Sequence, residues 1–191
     1  MSVATAVPTV RLVRRRTAVP SPSARSVTIR PATALDADAI HDLVSEHVEE
    51  GRLLPRDPGE VFVHSHRFIV AVDGDTVVAC ADLAPLSRTV AEVRSLVVRG
   101  DARSSGTGRR IIDELVRTAT LAGYEKLCAF THAPSYFVQL GFSLVPHEWL
   151  PEKIETNCRT CSQFRGCGQY AVMLALTRTR HSCVPLGSLH G

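Results

Sequence analysis

The segment Arg103-Ser104-Ser105-Gly106-Thr107-Gly108 has the residue types and spacing of a phosphate-binding loop. It comes after a strand-like apolar run, residues 92–98, and opens a helix-like run, residues 109–116. Glycines let a backbone come close to an anion. The first amides of a helix have no partner inside it and point at negative charge. The candidate anion-binding residues are therefore Arg103, Ser104, Ser105, Gly106, Thr107, Gly108 and Arg109. A Walker loop is excluded because Arg109, not lysine, follows Gly108. A dinucleotide fingerprint is excluded because its third glycine would fall on Ile111. The plain alternative is a glycine turn joining a strand to a helix.

Cys158-x2-Cys161-x5-Cys167 is the second constellation that could do chemistry. One Cys-x-x-Cys pair and a third cysteine fall short of the four ligands of a structural zinc site. His147 or Cys183 would have to complete it, so zinc is not predicted, and a metal-free thiol cluster is the expectation. Cys80 and Cys128 lie inside apolar strand-like runs and read as small core residues.

Periodicity gives the elements that must position these residues. Residues 27–32 read as a first strand. Asp36 or Asp38 is placed to cap a helix whose apolar positions are Ile40, Leu43, Val44 and Val48. Residues 51–58, with glycine and two prolines, break it. Runs 67–72 and 76–83 form a hairpin around Asp73-Gly74-Asp75. After the strand at 92–98, a helix at 109–121 ends before Gly123. A strand at 126–131, a short helix at 134–140 stopped by Gly141, a strand at 142–146 and a last strand at 170–176 complete the order. This predicts an α/β (α+β mixed) fold with a mixed central sheet flanked by helices. One domain is expected over 27–176, between a disordered Arg-rich tail at 1–26 and a flexible tail at 177–191.

The bulk properties narrow the function. The 191 residues carry a net charge of +3, but residues 1–30 hold six arginines and no acid. Without them 16 basic residues face 19 acidic ones, a balance near −3. A mildly acidic domain argues against nucleic acid as a partner. No apolar run approaches the roughly 18 residues needed to cross a bilayer, so no membrane partner is expected. The tail lacks the apolar stretch of a secretory signal, although its composition also fits an organelle transit peptide. A reducing, cytoplasmic setting without disulfides is the expectation.

Arg-x-x-Gly-x-Gly at 103–108 resembles the acetyl-CoA pyrophosphate loop of the GNAT N-acetyltransferases. Tyr136-Phe137-Val138-Gln139-Leu140-Gly141-Phe142 resembles the family's second signature, an aromatic pair before Leu-Gly-Phe. The likeness runs from about Val27 to Leu176. Residues 51–56, 78–83, 92–98 and 150–153 resemble the acetyltransferase domain of the N-acetylglutamate synthases, amino-acid N-acetyltransferases of arginine biosynthesis. The short, single-domain form is the one resembled. The family therefore implies the GNAT acyl-CoA N-acyltransferase fold, acetyl-CoA as co-substrate and L-glutamate as acceptor. Oligomeric state stays open, a homodimer included.

The resemblance also assigns roles. Acetyl-CoA would set its pyrophosphate on the amides of 104–109 and its pantetheine arm along Leu96, Val97 and Val98, held like an added strand. Glu92 matches a strand carboxylate used as general base in parts of the family; a solvated strand start is its other reading. The family's usual acid, a tyrosine four residues before the glycine of Leu-Gly-Phe, is replaced by Phe137. Tyr136, Ser135 or no side chain at all remain for the leaving thiolate, and His132 could serve as acid or base. A dicarboxylic acceptor calls for guanidinium forks. Arg56 and Arg94 are the choices, with Arg52 and Arg67 weaker ones. Another amine acceptor, or a non-catalytic acyl-CoA-binding regulator, are the alternative functions.

Overall fold

A computed structural model describes residues 27–49, 53–161 and 163–176. Seven strands form one mixed sheet in the order β1-β2-β3-β4-β5-β7-β6. They are β1 Thr28–Pro31, β2 Phe68–Asp73, β3 Thr76–Pro85, β4 Val90–Val98, β5 Lys126–Thr131, β6 Ser143–Val145 and β7 Tyr170–Ala175. Only β4 and β5 are paired in parallel; the other neighbours are antiparallel. The tails at 1–26 and 177–191 lie outside the described residues.

Strand β2 shows why its sequence lacks alternation. Phe68, Val70 and Val72 pack against α1 (Ala37–Glu49) and α2 (Pro58–Val63), through Ile40, Leu43, Val44 and Val61. Ile69 and Ala71 face the opposite layer, formed by Ile111, Ile112, Leu115 and Ala119 of α3 (Thr107–Leu121) and Phe137 of α4 (Pro134–Gln139). A strand covered on both faces reads as a continuous apolar run. The turn after β2 places Gly74 at φ 61, a left-handed conformation that suits glycine.

Several elements fall where the sequence put them, with two additions. Helix α2 starts at Pro58, where Asp57 accepts from the Glu60 amide at 2.9 Å. Helix α5, Pro151–Thr156, follows Leu150, which is buried in a smaller core with Val90, Cys128, Val145 and Ala171. Both are six residues long, too short to show a helical period. Asp36 contributes to the helix entry, accepting from the Thr33 amide at 2.7 Å and from both Arg30 nitrogens at 2.8 Å. That arginine fork holds its carboxyl far below the usual carboxylate range. No helix among the described residues is long and apolar enough to cross a membrane.

The feature that positions the site is a split in the sheet. Strand β4 pairs with β5 only at Val90, Ala91 and Glu92, although it runs to Val98. On its other edge, Cys80 faces Val97 and Asp82 faces Arg94, so two steps of β3 match three of β4. This bulge surrounds Ser95, whose φ of 50 is unusual for a residue with a side chain. The buried Cys80 thiol donates to the Ser95 carbonyl at 3.7 Å. Burial pushes that thiol up to about 12, which keeps it a donor. Beyond Glu92 the two parallel strands diverge around a cavity of about 930 Å³.

Candidate active site

One wall of the cavity is main chain. After β4 a short turn at Gly100–Ala102 leads into the loop, with Ser104 at φ 63 and Gly106 at φ 79. Among the described residues, the amides of Ser104, Ser105 and Gly106 make no backbone hydrogen bond. Those of Thr107, Gly108 and Arg109 form the first turn of α3, where no intrahelical acceptor exists. The loop is braced from within. Ser105 Oγ donates to the Ala102 carbonyl at 2.7 Å, so the Thr107 hydroxyl is the donor in its 2.7 Å contact with Ser105 Oγ. Arg103 Nε donates to the Val98 carbonyl at 2.9 Å.

Gly108 is needed for a reason its motif does not show. A Cβ there would lie 2.6 Å from the Tyr136 hydroxyl and 3.4 Å from Val98 Cγ2. The helix N-terminus and the phenol are thus in direct apposition. Phe137, at the position of the family's usual acid, is buried edge-on against Phe142, with ring centroids 5.2 Å apart. Both rings border the cavity, but only Tyr136 brings a hydroxyl to it. Burial raises its phenol above the ordinary value, with Arg109 opposing that rise.

The other end of the cavity is built from charged side chains. Glu92, 3% exposed, stands where β4 and β5 part. Lys153 of α5 places its Nζ 2.7 Å and 2.8 Å from the two oxygens of Glu92, and 5.4 Å from the centre of the Phe130 ring. Arg94 Nε is 3.8 Å from Glu92 Oε2. Arg56 Nη2 donates to Glu60 at 3.1 Å and to Asp82 at 3.2 Å. Arg67 binds both oxygens of Asp82, at 3.1 Å and 3.0 Å. The Arg56 side chain is 5% exposed, and its Nε is buried with no hydrogen-bond partner among the described residues. Removing Asp82 would cost about 3–5 kcal/mol, because two guanidinium groups would lose the carboxylate they share.

The fold therefore gathers Arg56, Glu92, Arg94, Leu96, Val97, Val98, Arg103, Ser104, Gly106, Thr107, Gly108, Arg109, His132 and Tyr136 around one space. Ser105 stands behind the loop as a brace, Ser135 is exposed away from the cavity, and Arg52 lies outside the described residues. Lys153, His47 and Gln169 also line it; Lys153 lies in the 150–153 segment, to which the resemblance gives no role, and His47 and Gln169 belong to no sequence motif. His47 has a legible signal all the same: it completes the 40, 43, 44, 47 spacing of α1, where Val48 is the apolar residue that periodicity favours. Cys158, Cys161 and Cys167 are free thiols, and burial raises that of Cys158. Among the described residues no group of three or more His, Cys, Asp or Glu is placed to hold a metal.

A mixed sheet split between two parallel strands, with the amides of a helix N-terminus at the opening, is the GNAT fold. Residues 64–144 match the family model described as "Acetyltransferase (GNAT) domain", and the chain carries a GNAT acetyltransferase domain. An uncharacterized N-acetyltransferase of Chlorobaculum tepidum is 27% identical over 153 residues, 80% of this chain and 99% of that protein. An amino-acid acetyltransferase of Pectobacterium carotovorum is 30% identical over 127 residues, 65% of this chain. The chain spans 29% of that relative's length. Among solved structures, N-acetylglutamate synthase from Neisseria gonorrhoeae, complexed with coenzyme A and N-acetyl-glutamate, superposes with a TM-score of 0.72. Identity there is 25%, over 80% of this chain and 35% of that one.

Proposed function

We propose that this chain transfers the acetyl group of acetyl-CoA to the α-amine of L-glutamate. The fit of the co-substrate rests on the free amides at 104–109, the unpaired outer edge of β4 beyond Glu92, and a cavity joining the two. Apolar Leu96, Val97 and Val98 lie along that edge, where main-chain groups would hold a pantetheine arm as an added strand.

The observation that carries the acceptor is Arg56. Its guanidinium is almost fully buried, opens on the cavity, and keeps an unpartnered Nε–H. A buried donor without a partner is costly, and a carboxylate is the group a guanidinium fork fits. Arg94 and Lys153 add two further cations near Glu92, which suits an anionic amino acid. The relatives named amino-acid acetyltransferase and the synthase holding N-acetyl-glutamate support the same reading.

The chemistry then divides among this chain's residues. The acceptor nitrogen must lose a proton, form a bond to the thioester carbonyl carbon and break the carbon–sulfur bond. Glu92 accepts the proton, directly or through water, at the oxygens that Lys153 now engages. Tyr136, kept protonated by burial beside the α3 N-terminus, donates to the departing thiolate. The test is a screen of the twenty amino acids, following release of free thiol from acetyl-CoA. Glutamate should give the highest kcat/KM. A preferred acceptor lacking a second carboxylate would overturn the proposal.

A further inference from the structure

His47 is buried on the apolar stripe of α1, yet both of its ring nitrogens are engaged. Nδ1 lies 3.0 Å from the Leu43 carbonyl, a group that only accepts. Nε2 lies 2.8 Å from Arg103 Nη2, a group that only donates. The two partners together fix one tautomer: Nδ1 carries the hydrogen, and Nε2 presents a lone pair to the guanidinium. The same guanidinium donates through Nε to the carbonyl of Val98, the last residue of β4. Arg103 is thereby clamped to a helix on one side and to a strand on the other.

The residue after Arg103 is strained. Ser104 sits at φ 63, a conformation that residues with a Cβ keep only where their surroundings over-determine it. Downstream, the Ser105 and Thr107 hydroxyls brace the loop. Upstream, the brace is Arg103, and in turn His47. We infer that His47 is a positioning residue for the phosphate loop: by accepting from Arg103 it holds the Ser104–Gly106 amides in the geometry that receives a pyrophosphate. This rests on the reading of that loop as the acetyl-CoA site. Phosphate affinity would then depend on a side chain 56 residues away in sequence from the loop's first residue.

The experiment compares acetyl-CoA with S-acetyl-pantetheine, which carries the thioester arm but no pyrophosphate. His47→Leu, of similar bulk and without an acceptor, should raise the Kd of acetyl-CoA about tenfold to a hundredfold, the usual scale for a lost hydrogen bond to a charged group. The KM of S-acetyl-pantetheine should not move. His47→Gln, whose side-chain carbonyl accepts the same bond, should restore most of the loss. Unchanged acetyl-CoA affinity in a folded His47→Leu protein would overturn the inference. So would equal losses for both donors, which would mark His47 as a packing residue. If the wild-type protein bound no acetyl-CoA, or Gly106→Val left binding intact, the loop reading itself would fall and take the inference with it.

Discussion

The two ends of the cavity are made differently. The end proposed to bind phosphate is main chain: six consecutive amides from Ser104 to Arg109, delivered by one strand, one loop and one helix start. The end proposed for the acceptor is side chain: Arg56, Asp82, Glu92, Arg94 and Lys153, brought together from a loop, two strands and a distant short helix. A main-chain site tolerates almost any side chain that leaves its backbone free, and fails when bulk is added. A side-chain site fails when single atoms are removed. On the proposed roles the contrast would also locate specificity, since amides recognise any phosphate whereas paired cations recognise one arrangement of carboxylates.

Glu92→Gln tests the acceptor end most severely. It should lower kcat by about 10²–10⁴, the scale of a lost general base, while leaving the Kd of acetyl-CoA near its wild-type value. Near wild-type kcat in a folded variant would make Glu92 an anchor for Lys153 and nothing more. At the phosphate end, Gly108→Val drives a side chain into the Tyr136 hydroxyl, 2.6 Å from where its Cβ would stand. Overpacking of about 1–3 kcal/mol predicts roughly a tenfold to hundredfold rise in the Kd of acetyl-CoA. The check is calorimetric titration, and an unchanged Kd would remove the apposition from the site.

Arg56→Ala should raise the KM for glutamate about tenfold to a hundredfold, from the loss of a charge-assisted bond worth about 1.5–3 kcal/mol. Arg67 still holds Asp82 in that variant, so the fold should survive. Arg56→Lys should recover only part, because an ammonium lacks the fork. Equal KM values for glutamate and alanine in the wild type would dissolve the comparison between the two ends.

Tyr136 sits between them. Burial raises its phenol, so the acid form persists above the ordinary value of about 10, and kcat should hold through neutral and mildly alkaline pH. Arg109 works against that rise, so Arg109→Ala should move the alkaline limb to still higher pH. Tyr136→Phe should lower kcat and abolish the limb; a limb that survives it belongs to another group. The smallest effect is expected for Ser104→Ala. If amides do the binding, an exposed side chain there is worth no more than about 0.5 kcal/mol, or about twofold in Kd.

Much of this was legible where neighbours in sequence are neighbours in space. The hairpin at Gly74, the strand before the loop and the helix after it depend on backbone conformations and on spacing within a few residues. Helix α1 was legible, Val48 packing part-buried against the core as expected; what periodicity did not show is that His47, satisfied by Leu43 and Arg103, is buried beside it. Residues 150–153 were marked by resemblance alone; six residues carry no period, so helix α5 and the role of Lys153 stayed hidden.

The residues alone determined the loop and helix start proposed to bind phosphate. A glycine able to adopt φ 79 and a helix beginning one residue later are local facts, and local sterics settle them. Tertiary structure decided the rest. The bulge at Ser95 and the parting of β4 from β5 open the cavity, and they arise from strand register, which no single strand encodes. Lys153 meets Glu92 across 61 residues and Arg56 meets Asp82 across 26, because Leu150, just before α5, is buried in one core with Val90 of β4, and the fold brings the loop before α2 to β3. Charges far apart along the chain become partners when burial withdraws water from both, and a buried charge is stable only where the fold supplies its opposite.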